Sequence, residues 1–128
     1  MNKRIITTPA VLGMLAVITG AFGAHGLKAK LSPQALQVWG TAVQYHFYHV
    51  FALLFLAAFN RINSNLTYVS YWLFTFGILF FSGSLYLLAC SSLLQWSWLP
   101  VLGPITPVGG LLFIAGWFTL ALAAWKEK

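Results

Sequence analysis

The chain has 128 residues, of which 60% are hydrophobic, 17% aromatic and only 6% charged, with a formal net charge of +6. An ordinary soluble domain carries roughly 25% charged residues, so there is too little charge here to coat a water-facing surface. A disordered chain, a collagen-like repeat and a disulfide scaffold are excluded too, since the single cysteine, Cys90, has no intrachain partner. What remains is an all-α integral membrane protein.

A helix that crosses a bilayer needs about 20 mostly apolar residues, and four stretches qualify, at about 9–27, 37–59, 66–93 and 107–125. The connections are short, which predicts a single four-span transmembrane domain, an antiparallel bundle. In the first span, Thr8-Pro9 predicts a hydroxyl N-cap followed by proline at the first helical position. Lys3 and Arg4 ahead of an apolar run also resemble a signal peptide, but a retained span is expected. Ala16, Gly20 and Ala24 recur every four residues, and His25 stands at the far end.

The second helix carries the same cap signature at Ser32-Pro33 and a stop at Asn60. From Pro33 to Phe59 it would measure about 40 Å, longer than the ~30 Å hydrocarbon core. Its first turns are therefore expected in the interface, with Gly40 permitting a bend. His46 and His49 lie three residues apart and share a face with Ala42, Tyr45, Leu53 and Leu56. Phe47, Phe51 and Phe55 point elsewhere, towards lipid.

The third helix has caps on offer at Asn63, Ser64 and Asn65, and repeats small residues every seven positions at Ser70, Gly77, Ser84 and Ser91. The fourth opens on Thr106-Pro107 and shows Gly109, Gly116 and Ala123 at the same spacing. Small residues let backbones approach closely, which matters in lipid, where hydrophobic burial gives no drive to associate. The seams predict tight helix contacts, and the spare faces of so thin a bundle suggest a homo-oligomer.

With four spans, Lys3, Arg4, Arg61, Lys126 and Lys128 fall on one side and Lys28 and Lys30 on the other, which predicts both termini in the cytoplasm. Trp39, Trp96 and Trp98 are expected at the outer interface, and Tyr68, Tyr71, Trp72 and Trp125 at the inner one. The scattered basic residues form no stripe for nucleic acid, and membrane lipids are the expected partners. The sequon Asn65-Leu66-Thr67, beside a span, reads as chance.

Catalytic chemistry is sparse. Glu127 is the only acid, so paired-carboxylate catalysis and oxygen-rich cation sites are excluded within one chain. His25, Tyr45, His46 and His49 are the candidate polar cluster, since ionisable groups inside a membrane are functional suspects. Two readings stand: neutral histidines hydrogen-bonding across helices, or a metal or haem site built from His25, His46 and His49, with Cys90 within reach. A proton relay or small transporter is a further alternative, though no internal repeat supports it. The glycine-rich helix start at Thr106, Val108, Gly109 and Gly110 is a candidate site for an anion or lipid head group, against a plain reading as a proline-capped start with close-packing glycines.

Gly20-Ala21-Phe22-Gly23-Ala24-His25, Thr41-Ala42-Val43-Gln44-Tyr45-His46 through His49, Phe81-Ser82-Gly83-Ser84-Leu85-Tyr86, and Thr106-Pro107-Val108-Gly109-Gly110 with Ala115-Gly116-Trp117 run in order along nearly the whole chain. Together they resemble the signature of the small bacterial inner-membrane proteins typified by YgdD, to which human transmembrane protein 256 looks related. The resemblance implies a four-span inner-membrane protein with no assigned activity. It matches His25 and His49 and implies that other members accommodate glutamine at position 46. Glutamine hydrogen-bonds but is a poor metal ligand, which favours a polar network. The expectation is a multipass membrane protein with a structural or accessory role and no cofactor.

Overall fold

The computed structural model describes residues 3–58 and 64–126, with the backbone alone for Lys3 and Arg4. Phe59, Asn60, Arg61, Asn63, Glu127 and Lys128 lie outside the described residues. The elements are α1 (Lys3–His25), α2 (Pro33–Ala58), α3 (Asn65–Gly77), a π-helical turn (Ile78–Ser82), α4 (Gly83–Ala89), α5 (Ser91–Leu94), a 3-10 turn (Leu99–Leu102) and α6 (Ile105–Lys126). Four helical segments are long and apolar enough to cross a membrane: Ile5–His25, Pro33–Ala58, Asn65–Ala89 and Leu99–Lys126. The third of these runs through α3, the π turn and α4 without leaving the helix.

Two of the expected helix starts stand. The Ser32 hydroxyl accepts from the Ala35 N–H at 3.1 Å, with Pro33 opening α2. Ser64 caps α3 in a reciprocal box: its hydroxyl accepts from the Thr67 N–H, and the Thr67 hydroxyl accepts from the Ser64 N–H. The α2 helix continues through Gly40.

The other two are corrected. α1 begins at Lys3, so Thr8 is no cap and Pro9 sits inside the helix, fully buried. Proline there removes the N–H that would have paired with the Ile5 carbonyl four residues back. The Tyr71 hydroxyl supplies the donor instead, at 3.0 Å. α6 begins at Ile105, so Thr106 is already helical and Pro107 is the third helical residue. That position costs no hydrogen bond, because the first four N–H groups of a helix have no partner within it. The third span ends at Ala89, not near residue 93, because the backbone turns at Cys90 (φ −94°, ψ 14°) before α5.

Contacts run in opposite senses along consecutive spans. Gly13 faces Val50 while Gly23 faces Trp39. His49 meets Phe74 while Trp39 meets Tyr86. Ser70 pairs with Thr119 while Ser84 pairs with Thr106. The bundle is therefore antiparallel, and the third span is its centre, touching each of the others. One core cluster joins Leu12, Val50, Leu53, Tyr71, Phe74, Ile78 and Phe113; a second, near the first loop, joins Leu27, Leu31, Trp39 and Ala89.

The small-residue seams of the third and fourth spans face each other. Ser70 and Thr119 share a hydrogen bond at one end and Ser84 and Thr106 at the other, the latter at 2.6 Å. Between them Gly77 lies under the Phe113 ring, Gly116 under the Phe74 ring and Gly109 against the backbone of Phe81. Ala123 is buried beyond them. Ser91 is exposed, since α5 has already left the seam. On α1, Ala16 is fully buried and Gly20 faces Val43, whereas Ala24 is exposed and Gly23 takes the inward position.

Candidate functional site

The second helix places His46 and His49 on its buried face, with Ala42 and Leu53. Tyr45, one residue before His46, is exposed, as are Phe51 and Phe55. Both histidines are almost wholly buried, at 3% and 4% exposure, so each ring nitrogen must be accounted for within the protein.

His49 is fully accounted for. Its Nδ1 lies 2.7 Å from the Tyr45 carbonyl, an acceptor only, so Nδ1 carries the proton. Its Nε2 accepts from the Trp117 indole N–H at 3.0 Å. The ring is stacked on Phe113 with centroids 3.6 Å apart and planes within 7°. A neutral imidazole in one tautomer thus joins α2 to α6. Neither nitrogen offers a free lone pair.

His46 heads a different line of hydrogen bonds. Its Nδ1 is 2.8 Å from the Tyr86 hydroxyl, which is 2.9 Å from the Thr19 hydroxyl. Thr19 donates its single hydroxyl proton to the Ala16 carbonyl at 3.0 Å. The Tyr86 hydroxyl thus bridges His46 Nδ1 and the Thr19 hydroxyl. The line crosses from α2 through α4 to α1. The Thr19 carbonyl also accepts from the Trp39 indole at 2.9 Å, which ties α1 to α2. Among the described residues, His46 Nε2 is buried without a hydrogen-bond partner of good geometry. One more tie runs from the Ser82 hydroxyl, in the π turn, to the Ala42 carbonyl at 2.8 Å.

The expected four-residue cluster is therefore split. His49 meets Tyr45, but chiefly through its backbone carbonyl, while His46 has other partners. His25 is exposed at the end of α1 and joins neither. Cys90 is a half-buried free thiol packed beside Leu27, Leu31 and Trp39. Among the described residues no three of His, Cys, Asp and Glu come together to hold a metal ion. The convergence of His25, His46, His49 and Cys90 expected from the helix ends does not occur, because His25 turns outward.

At the start of α6 the Thr106 hydroxyl is engaged by Ser84, Gly109 is buried against Phe81, and Val108 is exposed. Because α6 begins at Ile105, the amides of Gly109 and Gly110 lie beyond the first turn's free donors, inside the helical ladder. These glycines serve close approach of α6 to the π turn. Among the aromatics expected at the interfaces, Trp39 and Tyr71 are turned into the bundle. Both are buried, Trp39 above Gly23 and Tyr71 against Ile5. Tyr68, Trp72, Trp96, Trp98 and Trp125 are exposed.

Residues 19–110 match the family described as protein of unknown function (DUF423). The chain belongs to the DUF423 family. Its relatives include a UPF0382 membrane protein of Staphylococcus saprophyticus, 46% identical over 125 residues that cover 97% of this chain and 98% of the relative. The UPF0382 membrane protein YwdK of Bacillus subtilis is 43% identical over 126 residues, with 97% and 98% covered. No solved structure matches. The chain is a multipass membrane protein of this family, and its surroundings are lipid.

The stretch matched to DUF423 holds Thr19, Trp39, His46, His49, Ser82 and Tyr86, six of the residues that tie the helices together. Of these, sequence reasoning had singled out only the histidines as site residues. The signal for Ser82 and Tyr86 was a hydroxyl inside the motif stretch Phe81-Ser82-Gly83-Ser84-Leu85-Tyr86, whereas Thr19 and Trp39 stand just outside the quoted stretches. Trp117 lies just outside the matched range, in Ala115-Gly116-Trp117.

Proposed function

We propose that this DUF423 protein is a structural or accessory component of the bacterial inner (plasma) membrane, in which the buried histidines act as hydrogen-bonding ties between spans. The observation that carries the reading is His49, whose two ring nitrogens are both engaged, one by the Tyr45 carbonyl and one by the Trp117 indole. A side chain so committed fixes the spacing and rotation of α2 and α6. It has no lone pair left for a metal and no exposed proton to pass on.

The positive-inside distribution supports an orientation with both termini in the cytoplasm and Lys28 and Lys30 on the opposite side. The motif order supports kinship with the YgdD-like proteins and human transmembrane protein 256. Exposed small and aromatic positions on a bundle only four helices thick favour self-association as a homo-oligomer.

The test is to purify the protein in mild detergent without a His-tag and record its visible spectrum, its metal content and its melting temperature beside the His49→Ala variant. A colourless, metal-free protein whose variant folds but melts lower supports the reading. Stoichiometric haem or metal that is lost in the variant overturns it and places the protein in the redox class.

A further inference from the structure

The last turns of α1 and the first turns of α2 do not close on each other. They leave a groove of about 520 Å³ between them, floored by Gly20, Gly23 and Gly40 and walled by Trp39 and Val43. Two polar side chains, Lys28 and Gln44, also line it, with Ala24 and Leu36. The glycines differ in what they do for the fold. A side chain at Gly23 would collide with the Trp39 indole, so that glycine is required by the bundle itself. At Gly40 nothing lies within 4 Å of where a Cβ would stand. The space over Gly40 is not used by the chain.

From this groove, we infer that the protein holds one anionic phospholipid between α1 and α2, with its phosphate on Lys28 and an acyl chain over Gly40. Position gives the first argument. Lys28 lies in the loop that follows α1, at the end of two membrane-spanning helices, where phosphates reside; the glycine floor descends from there along both helices. Charge gives the second. The chain carries seven Lys and Arg but one acidic residue, Glu127, so there is almost no carboxylate within the chain to pair with Lys28. An anionic head group at the mouth of an apolar groove supplies one.

Gln44 gives the third. It is an exposed amide on a membrane-spanning helix, where a polar group without a partner is costly. Side chains on a helix lean towards its N-terminus, which for α2 is the Lys28 end of the groove. The amide lines the groove and has no partner among the described residues, so a lipid seated there offers it one. A zwitterionic lipid would fit the groove equally but leave the lysine without a counter-charge.

The experiment reconstitutes the full chain in nanodiscs of equal parts phosphatidylglycerol and phosphatidylcholine, extracts it in mild detergent and counts retained lipids by native mass spectrometry. The wild-type protein retains one phosphatidylglycerol. Gly40→Leu starts a side chain in open space, occupies the groove and loses that lipid while keeping its helical content and melting temperature. Lys28→Gln reduces the preference for phosphatidylglycerol over phosphatidylcholine by about fivefold, the worth of one basic residue at the surface, whereas Lys30→Gln changes it little. Unchanged retention in Gly40→Leu, or equal retention of the two lipids by the wild type, overturns the inference. So does a dimer that Gly40→Leu dissociates, which would give the groove to a second copy of the chain.

Discussion

The Tyr71 hydroxyl stands 3.0 Å from the Ile5 carbonyl, the acceptor that Pro9 deprives of its helical donor. A proline in the first span is thus repaired by a tyrosine in the third, whose acceptor Ile5 lies 66 residues back along the chain. Tyr71→Phe should lower stability by about 1 kcal/mol or somewhat more, because it leaves a carbonyl without a donor. Pro9→Ala restores the N–H, so the same Tyr71→Phe change should cost clearly less in that background. A double-mutant cycle on thermal unfolding in detergent reads the difference, and equal costs in both backgrounds would show that the bond does not compensate the proline.

Gly109 and Gly83 make opposite predictions. A Cβ on Gly109 would fall on the backbone of Phe81, which cannot step aside as a side chain can, whereas nothing lies within 4 Å of one on Gly83. Gly109→Ala should destabilise by roughly 1–3 kcal/mol, the usual cost of overpacking. Gly83→Ala should be neutral or slightly stabilising, since alanine is the better helix former. Melting temperatures of the two variants, measured side by side, decide the matter.

The tie between α2 and α6 can be removed from either end. Trp117→Phe keeps the aromatic volume but takes the donor from His49 Nε2, and should cost about 1 kcal/mol. His49→Ala removes both bonds and the stack on Phe113, and should cost about 2–4 kcal/mol. If Trp117→Phe were as damaging as His49→Ala, packing of the indole would outweigh the hydrogen bond.

The two hydroxyl pairs between the third and fourth spans should be weaker. In each pair, Ser70 with Thr119 and Ser84 with Thr106, both hydroxyls also lie within reach of a backbone carbonyl, and the one that donates to its partner can turn its single proton to that carbonyl when the partner is removed. Coupling energies near 0.6 kcal/mol are expected, the common value for hydrogen bonds between membrane helices. Cycles of Ser70→Ala with Thr119→Val, and Ser84→Ala with Thr106→Val, measure them.

Membrane character, the four spans and the seam of Ser70, Gly77 and Ser84 were legible in the sequence, because each rests on local composition or on the period of one helix. So were the caps at Ser32 and Ser64. Thr8-Pro9 carries the same local signature as Ser32-Pro33 and yet lies inside a helix, because what decides it is the Tyr71 hydroxyl on another span. The chemistry of Trp39 does not show that it is buried, which is decided by Gly23 on a neighbouring helix opening a slot for its indole. His46 and His49 could be assigned to one face from their spacing. Their partners Tyr86 and Trp117 could not, since hydrogen bonds between spans depend on the relative rotation and depth of helices, which no single-helix pattern encodes.

The central place of the third span bears on how the protein is made. Ribosomal synthesis delivers α1 and α2 first, and the bond from Trp39 to the Thr19 carbonyl can form between those two alone. The Ile5 carbonyl and His46 must wait for Tyr71 and Tyr86 to emerge. The first hairpin is therefore an unfinished object at the translocon, with polar groups that only later sequence can satisfy. Nascent chains arrested before the third span should be the preferred targets of membrane quality control, and those arrested after it should escape.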